Sequence, residues 1–147
     1  MAGRVWLGVD FGTVRIGLAV SDPDANLAFP LATYTRRSRQ HDAQFIRTVI
    51  EHQNVGQILV GLPIHLRGNE GAKAKEARAF GAWLGEISSL PIVFWDERFT
   101  TAEAEDYLLE AGLTSKRRNV RRDRVAAQIL LQSYLDAGCP QATKPVE

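Results

Sequence analysis

Asp10, Asp96, Glu97 and Asp123 are the residues of this 147-residue sequence best placed to do chemistry. Asp10 closes the apolar run Val5-Trp6-Leu7-Gly8-Val9 and leads into Phe11-Gly12-Thr13, while Asp96 and Glu97 close the run Ile92-Val93-Phe94-Trp95. Asp123 precedes Ala126, Ala127, Leu130, Leu131 and Tyr134 at the spacing of one helix face, which puts a carboxylate on a core-facing stripe. Acids seldom occupy such a stripe without a partner. Each acid also has an ordinary structural role open to it: an Asx-type turn for Asp10, an ion pair with Arg98 for Asp96-Glu97, and a helix-start acid for Asp123. Taken together they gather carboxylates at one end of one sheet, where they repel unless a cation holds them. Oxygen donors without a cysteine cluster or a histidine pair favour Mg²⁺ or Mn²⁺. Two such ions about 3.5–4 Å apart serve in-line displacement at phosphorus.

The elements that must position these acids are legible as patterns. Val5 to Val9, Ile58 to Val60 and Ile92 to Trp95 are short apolar runs of the kind buried on both faces of a sheet. Ile16 to Val20 and Leu27 to Tyr34 are two further strands, joined through the turn-rich segment Ser21-Asp22-Pro23-Asp24-Ala25-Asn26. Phe45, Ile46, Val49 and Ile50 mark one helix, and Ala77, Phe80, Gly81, Leu84 and Ile87 a second. A third is expected from Thr100, spaced from Glu103 as in a capping box, to Gly112, and a fourth after the basic stretch that ends near Asp123. Helices alternating with the later strands require parallel crossovers. The expected fold is α/β: a mixed five-stranded sheet, its first three strands an antiparallel meander and the rest parallel, with helices on both faces. Ligands of such sheets bind beyond the carboxyl ends of the parallel strands. Side-chain alternation puts Asp10 on the face of Trp6 and Gly8, and one of Asp96 and Glu97 on that same face without deciding which.

Residues 1–138 are expected to form one domain and residues 139–147 a flexible tail. Cys139 is the only cysteine, which excludes an internal disulfide framework and fits a reducing, cytoplasmic setting. No run is long and apolar enough for a membrane span. His41 and His52 read as solvated, and His65 lies in a loop after a parallel strand, where ligand contacts are common. The net charge of +1 hides two opposed clusters. Residues 116–124 hold six bases against Asp123, and residues 96–110 hold six acids against Arg98. Lys116, Arg117, Arg118, Arg121 and Arg122 surround a candidate metal ligand, where they can bind phosphates flanking a cleaved bond. Arg36, Arg37 and Arg39 form a smaller cluster after the third strand.

The stretch from Leu7 to Asp22, then Val60-Gly61-Leu62-Pro63, then Asp96-Glu97-Arg98-Phe99-Thr100-Thr101-Ala102-Glu103-Ala104, and last Asp123 to Leu131, resembles the YqgF/RuvX family in order and spacing. That group is Holliday-junction-resolvase-like, is also described as candidate pre-16S ribosomal RNA nucleases, and has a ribonuclease-H-like fold. The resemblance covers Val5 to Leu135 and implies that Asp10, Glu97 and Asp123 are the metal-binding catalytic acids of a phosphodiester-cleaving nuclease. Asp96 stands in for Glu97 if the fifth strand ends one residue earlier. Thr13, Arg15, Arg98 and Thr100, within the same motifs, join the basic cluster as expected substrate contacts. Where relatives commonly read Asn-Met-Asp after Gly-Leu-Pro, this chain has His65-Leu66-Arg67, losing an acid and gaining a base.

The leading expectation is hydrolysis of structured RNA, at the 5′ end of pre-16S ribosomal RNA, by a monomer or homodimer using Mg²⁺ or Mn²⁺. The nearest alternative is resolution of branched DNA at four-way junctions, which favours a two-fold dimer. Asp10-Phe11-Gly12-Thr13 is also similar to the first phosphate loop of sugar kinases and actin-like ATPases, but those close two domains around a nucleotide and this chain has room for one. A non-catalytic RNA-binding module is the remaining alternative.

Overall fold

The computed structural model describes residues 4–63, 70–97 and 115–140, with side chains in the last stretch described from residue 123 onward. In chain order the elements are β1 (Val5–Asp10), β2 (Arg15–Ser21), β3 (Ala28–Thr35), α1 (Arg39–Gln53), β4 (Val55–Leu62), α2 (Ala72–Ser88), β5 (Ile92–Asp96) and α3 (Ser115–Asp136). They build one five-stranded sheet in the order β3-β2-β1-β4-β5. β1, β2 and β3 pair antiparallel, whereas β4 joins β1, and β5 joins β4, in parallel. This is the mixed sheet expected from the sequence. The helix expected between Thr100 and Gly112 lies outside the described residues.

Local chemistry sets the boundaries. In the β2–β3 turn, Asp22 Oδ1 accepts from the backbone N–H groups of Asn26 (2.7 Å) and Leu27 (2.9 Å), an Asx-type closure. Ser38 caps α1 by accepting from the His41 backbone N–H, and Asn54, left-handed at φ 56°, ends it. His41 and His52 are exposed, as solvated histidines should be.

The sheet separates two apolar layers. On one face Val5, Leu7, Val9, Ile16, Leu18, Ile58 and Val60 pack with Ile46 and Val49 of α1 and Phe80 and Leu84 of α2. On the other, Ala19, Ala28 and Leu59 pack with Ala127, Leu130, Leu131 and Tyr134 of α3, and Trp6 and Trp95 meet Tyr134 edge-on at 5.0 and 5.1 Å. Helices therefore cover both faces. Gln128 and Gln132 tie α3 to the far edge of the sheet, bonding the Ala28 carbonyl (3.1 Å) and backbone N–H (2.8 Å) respectively. Beyond the helix, the Cys139 N–H donates to the Tyr134 carbonyl and Tyr134 Oη donates to the Pro140 carbonyl.

One boundary departs from the sequence reading. The last helix does not wait for the basic stretch to end but already runs from Ser115. Lys and Arg are good helix formers, and no glycine or proline interrupts Ser115–Asp136. Asp123 thus sits about two turns inside the helix, which removes its ordinary role as a helix-start acid.

Candidate active site

Asp10 is the last residue of β1, and its neighbours on both sides of the sheet are glycines. It pairs with Gly17 of β2, and one step past the last β1–β4 pair, Val9 with Val60, it lies level with Gly61. The missing side chains are used by the other two acids. A Cβ at Gly17 would overlap the Asp123 backbone carbonyl, and a Cβ at Gly61 would overlap Glu97 Oε2 and stand 2.8 Å from Leu130 Cδ2. Gly8, also on β1, performs a similar service deeper in, where a Cβ would lie 3.0 Å from Leu131 Cβ. These notches let α3 settle directly on β1 and β2, and let the Glu97 carboxylate lie across β4 toward Asp10.

Glu97 is fixed just past the end of β5 by its backbone N–H, which donates to the Leu62 carbonyl at 3.1 Å. Its carboxyl shares a hydrogen bond with Asp10. Of the two acids closing this strand, Glu97 is the one whose carboxyl meets Asp10. Burial raises the Asp10 pKa well above the usual aspartate value, and the charges of Glu97 and Asp123 push it the same way. Burial also raises Glu97, reinforced by the charge of Asp96, while the hydrogen bond from Asp10 opposes the rise. Burial and the neighbouring carboxylates thus disfavour the ionised form of Asp10 beside Glu97. Partly buried carboxyls facing each other in this way suit a hard cation, whose charge would offset their mutual repulsion.

Asp123 is oriented differently. Its Oδ2 accepts from Arg15 Nε at 2.7 Å. Among the described residues no group of three metal-ligating side chains is already drawn together. Arg15, expected to contact substrate, is paired with this acid. Thr13 lines a cavity of about 290 Å³ next to the Asp10 loop, together with Phe11 and Arg36. Arg98 and Thr100 lie outside the described residues, as do His65, Leu66 and Arg67 and the side chains of Lys116, Arg117, Arg118, Arg121 and Arg122; the backbone of these five belongs to the first turns of α3.

A mixed sheet in this order, with acids at the carboxyl ends of β1 and β5 and on the covering helix, defines the ribonuclease-H-like class. The chain belongs to the RuvX family, whose model, described as Holliday junction resolvase, matches residues 4–137. A relative from Koribacter versatilis, named "Putative pre-16S rRNA nuclease", is 43% identical over 134 residues, covering 91% of this chain and 87% of its own. One of the same name from Maridesulfovibrio salexigens is 43% identical, covering 88% and 96%. Among solved structures, T. thermophilus RuvC in complex with a Holliday junction substrate superposes with a TM-score of 0.57 at 18% identity, covering 97% of this chain and 99% of that one. The fowlpox virus resolvase with Holliday junction DNA gives 0.56 at 12% identity, over 92% and 99%. At those identities the likeness is one of fold.

Trp83, on the cavity wall, is not apparent as a functional residue in the sequence. It sits beside the α2 stripe as one more large apolar residue, and only the packing shows that part of its ring faces the cavity. Gly17 and Gly61 carry a fainter sequence signal, each lying inside an otherwise apolar strand where glycine often marks a close approach.

Proposed function

We propose that this protein is a metal-dependent nuclease that hydrolyses phosphodiester bonds in the 5′ region of pre-16S ribosomal RNA. The observation that carries this reading is the partly buried Asp10–Glu97 carboxyl pair, set between Gly17 and Gly61 with Asp123 on the helix above. Membership of the RuvX family and the names of its relatives support the substrate class. Asp10 and Glu97 fit a divalent cation by donor type and because two facing carboxylates repel unless a positive charge lies between them. Asp123 would complete the set once its carboxylate leaves Arg15. Asp10, Glu97 and Asp123 would hold Mg²⁺ or Mn²⁺, singly or as a pair, and the chemistry supplied there would be activation of water and stabilisation of the leaving oxygen.

The remaining work falls to the chain's own groups. Asp10 and Glu97 keep their carboxyls in fixed positions at the strand ends. Arg15, released from Asp123, is placed to meet a phosphate oxygen, and the basic first turns of α3 hold the polyanion by contacts that weaken with salt. No helix among the described residues is long and apolar enough to cross a membrane; a cytoplasmic setting suits this substrate.

The test is incubation of the purified protein and its Asp10→Asn variant with precursor 16S RNA and with a synthetic four-way DNA junction in Mn²⁺, mapping the cut ends. Cleavage of the RNA by the wild type alone supports the reading. Cleavage of the junction alone supports the second reading, which the family description favours: resolution of four-way DNA junctions by a two-fold dimer.

A further inference from the structure

We propose that the cavity beside the Asp10 loop receives the base of an unpaired nucleotide whose neighbouring phosphate lies at the acids; this extends the nuclease reading and rests on it for the position of that phosphate. Side chains alternate at the end of β1, so Asp10 faces α3 while Phe11, the next residue, packs with the α1–α2 layer. The cavity of about 290 Å³ opens there, on the opposite side of the strand end from the acids, with Phe11, Phe80 and Trp83 among its walls. A nucleic-acid strand crossing this edge of the sheet can present a phosphate to one side and an adjacent base to the other.

The pocket is built for a flat, partly charged guest. The Arg36 guanidinium lies over the rings of both Phe11 and Phe80, 5.3 Å from each centroid. It is held there by Asp42, whose Oδ2 is 3.5 Å from Arg36 Nε, and by the Gly12 carbonyl, 3.4 Å from Nη1. Asp42 is itself buried and accepts from Tyr34 Oη (2.7 Å) and the Arg37 backbone N–H (2.8 Å), which fixes the acid facing the cation, while Arg36 Nε itself is buried without a hydrogen-bond partner. Phe80 and Trp83 form a tilted pair with centroids 5.4 Å apart, and Trp83 is only half-buried. Arg39, exposed at the start of α1, adds a mobile cation at the rim, and Glu76 an acceptor for a base amine. Aromatic rings and guanidinium planes flanked by cations are the surfaces on which single-stranded bases stack.

The experiment measures binding separately from cleavage. Fluorescein-labelled single-stranded penta-adenylate is titrated into the Asp10→Asn protein without divalent metal, and anisotropy is read. Adding Trp83→Leu should weaken binding roughly 5- to 100-fold, whereas Trp83→Phe should keep most of the affinity. An abasic pentamer with the same phosphates should bind the Trp83-containing protein as weakly as penta-adenylate binds the leucine variant. Arg39→Ala should lower the salt dependence without removing the preference for bases. Equal affinity for penta-adenylate and the abasic strand, no measurable binding of either, or equal affinity with leucine at position 83 in a variant of unchanged melting temperature, overturns the proposal. If the wild type cuts nothing yet base-dependent binding through Trp83 persists, the nuclease reading fails and the pocket stands.

Discussion

Arg15 and Asp123, separated by 108 positions in the chain, are joined by a 2.7 Å ion pair between Nε and Oδ2. Two residues further along β2, Gly17 lies beneath the Asp123 carbonyl. One strand therefore grips the aspartate at both ends, its backbone against the glycine and its carboxylate on the arginine. The ion pair sets Asp123 in position and at the same time neutralises it.

Replacing Arg15 with alanine should separate these two effects. With the carboxylate free, Mn²⁺ affinity measured by calorimetry rises several-fold, about the effect of removing one local competitor. Stability in urea falls by only about 0.2–1 kcal/mol, because the arginine is more than one-third exposed. Unchanged Mn²⁺ affinity would show that Asp123 is not a ligand.

The Asp10 carboxyl should make the metal-free protein less stable as pH rises. Its pKa is raised in the folded state, so over the interval between the ordinary and the raised values the native protein keeps a proton that the unfolded chain has lost. That contribution to native stability is fully present below the ordinary aspartate value and is lost from about pH 4 through the raised one. Thermal melts without metal should show this decline for the wild type and a smaller one for Asp10→Asn, which melts higher at neutral pH. Mg²⁺ should raise the melting temperature of the wild type more than that of the variant, and cleavage by the variant should fall by about 10²-fold or more.

Gly61→Ala tests whether the space on β4 places Glu97. The added methyl group would occupy the position of Glu97 Oε2 and crowd Leu130. We expect a loss of about 1–3 kcal/mol from overpacking, together with weaker Mn²⁺ binding as the carboxylate is displaced. Gly61→Ala combined with Glu97→Ala should recover part of the stability but none of the metal affinity. Double-variant melts that show simple additivity would contradict the contact.

Neutralising Arg117 and Arg118 should act on nucleic acid generally. For every phosphate that these side chains cease to neutralise, the slope of log affinity against log salt becomes shallower by about 0.7–0.9. Filter binding of RNA at several salt concentrations measures this, and an unchanged slope would take these two side chains off the substrate path.

The strands, their pairing and the position of Asp10 are all legible in the sequence, because an apolar run that ends in an acid is, in an α/β chain, most simply a buried strand reaching the edge of its sheet. The choice between Asp96 and Glu97 is not legible from alternation, since it depends on the turn after β5, where the Glu97 N–H reaches the Leu62 carbonyl. The start of α3 is obscured because a basic run looks like a solvated loop, yet lysine and arginine favour a helix as readily as they favour water. The pairing of Arg15 with Asp123 is not legible, because the two lie 108 positions apart, a distance that no local pattern spans.

The union of Asp10, Glu97 and Asp123 has a consequence for the life of the chain. Asp10 arrives on the first strand, whereas Asp123 arrives only on the last helix and reaches its place only when that helix has closed over Gly8 and Gly17. If Asp123 belongs to the cutting set, a chain still being synthesised, or one that has shed its final helix, carries Asp10 and Glu97 without it and cuts nothing. On that reading, activity toward surrounding polyanions waits on the docking of α3, and damage to α3 would disarm the protein instead of releasing an unregulated fragment.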